Sequence, residues 1–154
     1  MSFMHGYLTP RQRELWSLLI KKIKQKDIAR ILNITKQTVS KSVFIIEKKI
    51  ARALYEAAKL NRIIIKRMEP LKGILLGYSP EFKTEVIIFL SPKYGLQIWY
   101  RIEHSCKDCY FYNECKKMLL DEIQLRGIKL REEEKSLEPS KLAELLFNHL
   151  LGED

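Results

Sequence analysis

The stretch from Lys26 to Ile50, KDIARILNITKQTVSKSVFIIEKKI, constrains the fold more than any other part of the chain. At helical spacing Ile28, Ala29 and Leu32 form one short apolar face, and Val39, Val43, Ile46 and Ile50 form a second. Between them lies Asn33-Ile34-Thr35, an amide residue that tolerates a left-handed backbone followed by a hydroxyl suited to start a helix. Two short helices joined by such a turn make a helix-turn-helix. Ala29 then falls where the helices cross closely, and Ile34 is the plug between them. The second helix opens Thr35-Lys36-Gln37-Thr38 and continues to Ser40-Lys41, so its outward side chains are donors and acceptors. A DNA major groove asks for that chemistry: amides and amines for base edges, hydroxyls and lysines for phosphates. Lys36, Gln37, Ser40 and Lys41 are the candidate groove contacts, with Thr35 and Thr38 at the backbone. Thr38 can instead pack against the first helix, as a small residue at a crossing.

The run Leu8-Thr9-Pro10-Arg11-Gln12-Arg13-Glu14-Leu15, with Asp27-Ile28-Ala29, Leu32, Ile34-Thr35, Thr38-Val39-Ser40 and Ile46, extends this pattern. It resembles a LuxR-type or sigma-factor region-four helix-turn-helix, and most of all the archaeal Tfx-type regulators, in which a similar motif opens a small protein. The resemblance covers the first third of the chain. Asn33 stands where such motifs commonly have glycine, and left-handed geometry permits it. What the resemblance implies is a DNA-binding transcription regulator. The same fold serves in subunits of larger machines, so a module docking on another protein of the transcription machinery is the alternative.

Charge separates the two halves of the chain. The formal net charge is +9, yet residues 1–67 hold 16 Lys/Arg against 4 Asp/Glu, net +12, and residues 68–154 hold 12 against 15, net −3. A basic front and a mildly acidic back imply that the front alone meets a polyanion. The competing reading is a lysine-rich solvated surface, as in a thermophile. No apolar run approaches a bilayer span and the N-terminus has no signal-peptide pattern, so the expectation is a cytoplasmic protein without membrane contact.

In chain order, Met1–Tyr7 is a short lead. Thr9 is an expected N-cap, with Pro10 at the first helical position and Gln12 closing a capping box. The helix they start carries Leu15, Trp16, Leu18, Leu19 and Ile23, with Trp16 in the core or a domain interface. Lys21, Lys22, Lys24 and Lys26 straddle the passage to the next helix, where they clamp phosphates or belong to a solvated loop. The third helix has no Gly or Pro before Pro70, and its apolar positions run on through Ala53, Leu54, Ala57, Ala58 and Leu60. From Lys36 to Leu60 it would be about 40 Å long. Its distal stripe needs cover from this chain's C-terminal part or from a second protomer, which points to a homodimer. Ile63-Ile64-Ile65 fits a strand or a buried helix end.

After Pro70 the character changes. Thr84–Leu90 and Leu96–Glu103 flank Ser91-Pro92-Lys93-Tyr94-Gly95, a hairpin pattern, and Lys72–Tyr78 offers a third strand. Asn113–Arg126 reads as an amphipathic helix stopped by Gly127, with its stripe on the sheet. Arg131–Lys135 is a charged connection, and Pro139 opens a last leucine-rich helix that needs a partner, internal or in trans, and so adds to the expectation of a homodimer. The predicted fold is α+β. A helix-turn-helix domain with a long third helix spans residues 1–61, and a small α+β dimerisation or sensor domain spans 62–154.

All three cysteines lie in His104-Ser-Cys106-Lys-Asp-Cys109-Tyr-Phe-Tyr-Asn-Glu-Cys115. Three thiolates and an imidazole complete a closed, structural zinc tetrahedron, so His104, Cys106, Cys109 and Cys115 are the candidate ligands. The C-x2-C-x5-C spacing also resembles the cysteine triplet of some iron–sulfur proteins, such as CRISPR-associated exonucleases, whose further distant cysteine is missing here. The thiols can also be unligated, or Cys106 and Cys109 can form a redox pair, which would make the protein a metal- or redox-sensing regulator. No Gly-rich phosphate loop, carboxylate pair or activated nucleophile emerges, so no enzyme is expected.

Overall fold

The computed structural model describes residues 8–103 and 105–152. The lead expected over Met1–Tyr7 lies outside them. Three helices come first: α1 (Pro10–Ile20), α2 (Gln25–Leu32) and α3 (Lys36–Leu60). Each boundary has a local cause. The Thr9 hydroxyl accepts from Gln12 N at 3.2 Å, and Thr9 N donates to Gln12 Oε1 at 3.1 Å, a capping box with Pro10 in the first turn. Asn33 ends α2 in the left-handed region, φ 54° and ψ 51°. Thr35 caps α3, accepting from Thr38 N at 3.1 Å. At the far end the Asn61 side chain donates to the Ala57 carbonyl, and Arg62 turns left-handed at φ 55°.

That reversal launches a four-stranded antiparallel meander in the order β1 (Ile64–Glu69), β2 (Ile74–Ser79), β3 (Thr84–Ser91), β4 (Gly95–Tyr100). The expected hairpin is β3–β4, with Ile88 opposite Ile98 and Ser91 opposite Gly95. The expected third strand is β2. The isoleucine run resolves as the entry to β1, which pairs with β2 across a bulge between Ile65 and Arg67. Gly77 permits this pairing. A Cβ there would meet the Ile63 side chain and sit 2.8 Å from the Ile64 carbonyl, so only glycine lets this segment lie against β2.

One apolar core runs from the helices into the sheet. It joins Leu15, Trp16, Ile28, Leu32, Val39, Ile46, Ile50 and Leu54 to Leu75, Val86, Ile88 and Leu90. The distal stripe of α3 is thus covered within the same chain as far as Ala58, whereas Leu60 at its end is exposed. Trp16 is fully buried, and its indole N–H donates to the Leu71 carbonyl at 2.9 Å. The expected division at residues 61 and 62 is therefore corrected. The first compact unit continues through the sheet to Arg101, and the second begins at Ile102. The same packing removes the reason to invoke a second protomer for α3.

In the second unit α4 (Tyr112–Leu125) and α5 (Pro139–Leu151) pack against each other, linked through a short 3-10 turn at Glu132–Ser136. Their buried apolar residues include Met118, Leu119 and Ile123 on α4, and Leu142, Leu146, Phe147 and Leu150 on α5. A charged pair is buried with them. Arg126 Nε meets Glu122 Oε1 at 2.8 Å, and burial pushes the guanidinium pKa down while the carboxylate opposes it. No helix among the described residues is long and apolar enough to cross a membrane.

Candidate nucleic-acid interface

The helix-turn-helix is closed by backbone geometry as well as by its core. Ile34 N reaches back to the Ala29 carbonyl at 3.0 Å, and the Arg11 guanidinium donates to the Leu32 carbonyl at 3.1 Å. Arg11 thus ties the start of α1 to the end of α2, where orphan helix carbonyls carry partial negative charge. Ile34 is half-buried against the core, in the place expected of the plug.

With the inner face of α3 anchored by Val39, Ile46 and Ile50, its outer face is determined. Lys36, Gln37, Ser40 and Lys41 are all exposed on the first turns. Thr35 and Thr38 hydroxyls lie 2.9 Å apart and serve the cap, so Thr38 is exposed and not packed into the crossing with α2. Ser40 Oγ donates to Gln25 Oε1 at 3.3 Å, which fixes the start of α2 beside the start of α3. Lys24 and Lys26 flank Gln25 and are exposed. The Gln25–Ser40 contact sets the start of α2, with Lys24 and Lys26, beside the start of α3, with Thr35, Lys36, Gln37, Thr38, Ser40 and Lys41. The first turn of α3 carries no acidic residue, and its free N–H groups add positive potential.

Gln25 was missed by the sequence reading. Its link to Ser40 spans 15 positions and two helices, and no local pattern announces it. The face also continues further than the motif. Phe44 and Lys48 follow Gln37 and Lys41 at helical spacing, and the Lys48 ammonium lies over the Phe44 ring at 4.4 Å.

The cysteine segment forms a series of tight turns. Cys109 N donates to the Cys106 carbonyl, Tyr112 N to the Cys109 carbonyl, and Cys115 N to the Phe111 carbonyl at 2.9 Å. Cys106 is buried, Cys109 exposed and Cys115 half-buried, and none is in a disulfide. Burial raises the Cys115 thiol pKa, and the neighbouring Cys109, Cys106 and Glu114 add to the rise. His104 lies outside the described residues. Among the described residues no three ligand-type side chains converge as a metal ion requires, so a closed site needs the three cysteines to draw together as well as a fourth ligand. The chain matches no protein-family profile, no curated protein and no solved structure.

Proposed function

We propose that this protein is a cytoplasmic, sequence-specific, double-stranded DNA-binding regulator of transcription, with the first turns of α3 in the major groove. One observation carries the reading: the exposed set Lys36, Gln37, Ser40 and Lys41 lies on a helix whose opposite face is locked into the core. An anchored helix presenting amides, hydroxyls and amines is built to read base edges while lysines hold the backbone. The charge of residues 1–67 supports the same partner, as does the resemblance of the N-terminal third to Tfx-type and LuxR-like motifs. The α3 stripe, covered within the chain as far as Ala58, lends a homodimer no support.

The test is selection from a random duplex library by the full-length chain. Enrichment of one short motif is expected. Retention of duplexes without sequence preference would contradict the reading, and so would failure to retain any.

For the second unit, we propose zinc bound by Cys106, Cys109 and Cys115 with His104 as the fourth ligand. Three thiolates and one imidazole match the ion's preference.

A further inference from the structure

The outer face of α3 holds a feature that hydrogen-bonding readout does not use. Phe44 is 62 % exposed and Ile45 46 % exposed, on the solvent side of a helix whose apolar stripe is already buried. Gln37, Lys41, Phe44 and Lys48 recur at intervals of four, three and four residues, which places them in one row. Phe44 stands two turns beyond Gln37, about 10 Å along the axis, or about three base-pair rises. Its ring is held from one side by the Lys48 ammonium. Lys41 and Lys48 lie on this side of the helix, with Arg52 further along paired to Glu56 at 2.8 Å, so the surface around Phe44 is cationic as well as apolar. A second copy of the chain laid against it would set like charges together. A polyanion with an apolar group in its groove matches it on both counts. In duplex DNA the apolar group of the major groove is the thymine 5-methyl.

We infer that Phe44 is a specificity-determining residue that contacts a thymine methyl, about three base pairs from the pair read by Gln37, with Lys48 bridging the ring to the phosphate backbone. The inference rests on the DNA-binding reading and adds an apolar readout to it. Lys48 is then both the group that fixes the ring and a counter-charge for the duplex.

The test uses the full chain and the duplex it enriches from the random library. Each thymine is replaced in turn by deoxyuridine, which removes only the methyl, and binding is followed by fluorescence anisotropy. One position should weaken binding about fourfold, the effect of one lost buried methyl. Phe44→Ala should weaken binding to the thymine duplex by at least that factor and abolish the difference between thymine and deoxyuridine there. Phe44→Leu should retain part of it. Far-ultraviolet circular dichroism of both variants should match the parent, because the ring lies outside the core. The inference is overturned if no thymine responds, or if Phe44→Ala keeps the full methyl preference. It is also overturned if Phe44→Ala changes only the sedimentation of the protein, which would assign this face to a second copy. A chain that enriches no duplex defeats the DNA-binding reading itself, and that result differs from sequence-specific binding indifferent to the methyl.

Discussion

Trp16 shows how one side chain joins two layers. Its ring fills the space that Gly73 leaves open, since a Cβ on Gly73 would lie 2.7 Å from the ring, and Gly73 sits at φ 69°. Trp16→Ala should cost about 3–5 kcal/mol in a denaturant titration, from lost burial and a partly uncollapsed cavity. Trp16→Phe should cost less, with the orphaned Leu71 carbonyl accounting for about 1 kcal/mol. Gly73→Ala should destabilise by more than about 1 kcal/mol, because strain and overlap add. In the proposed interface the residues divide by role. Gln37→Ala should lose about 1–3 kcal/mol on the preferred duplex and leave random duplex unaffected, whereas Lys41→Ala should weaken both alike. Anisotropy on the two duplexes separates these outcomes. The position of Trp16 in the core or at an interface was legible from its spacing with Leu15 and Leu19. Its bond to Leu71 was not, because 55 residues separate them.

Among the elements, those bounded by local chemistry were the most legible. The capping box at Thr9, the left-handed Asn33 and the Thr35 cap each act within four residues, so sequence alone marks the starts of α1 and α3 and the end of α2, whereas Ile23, expected on the first helix, lies past its end at Ile20. Strand β1 was ambiguous because Ile63-Ile64-Ile65 suits either state, and Gly77, which permits its pairing, lies on another strand. Helix α4 hides a different surprise. Glu122 and Arg126 look like a surface pair at i, i+4, yet both side chains are almost wholly buried. Replacing Arg126 by Met alone should cost about 3–5 kcal/mol, because the Glu122 carboxyl loses its buried partner. The double replacement Glu122→Met with Arg126→Met should restore much of that loss, and thermal unfolding of the three variants checks it. The cysteine turns before α4 carry a further prediction. Freshly purified protein should contain about one equivalent of zinc, with chelation destabilising the second unit first. Less than about a tenth of an equivalent of any metal would remove zinc from the account.

Across the whole molecule, the helix-turn-helix and the sheet share one core, and the boundary between units falls after the sheet rather than after α3. The sequence showed that the α3 stripe needs cover but held no information on which surface supplies it. Periodicity reports that a face is apolar and is silent about its partner. A fragment ending at residue 61 would leave Ile50, Leu54, Ala57 and Ala58 bare, so it should show no cooperative thermal transition, in contrast to the full chain. The charge asymmetry and the geometry of α3 both support the proposal that the front of this molecule binds duplex DNA through its lysines and reads it with α3. Salt dependence of binding to the selected duplex tests that claim most directly. If Lys24, Lys26, Lys36, Lys41 and Lys48 each neutralise one phosphate, log K against log salt should fall with a slope of about −4 to −5. A slope near zero, or no measurable binding at low salt, would contradict it.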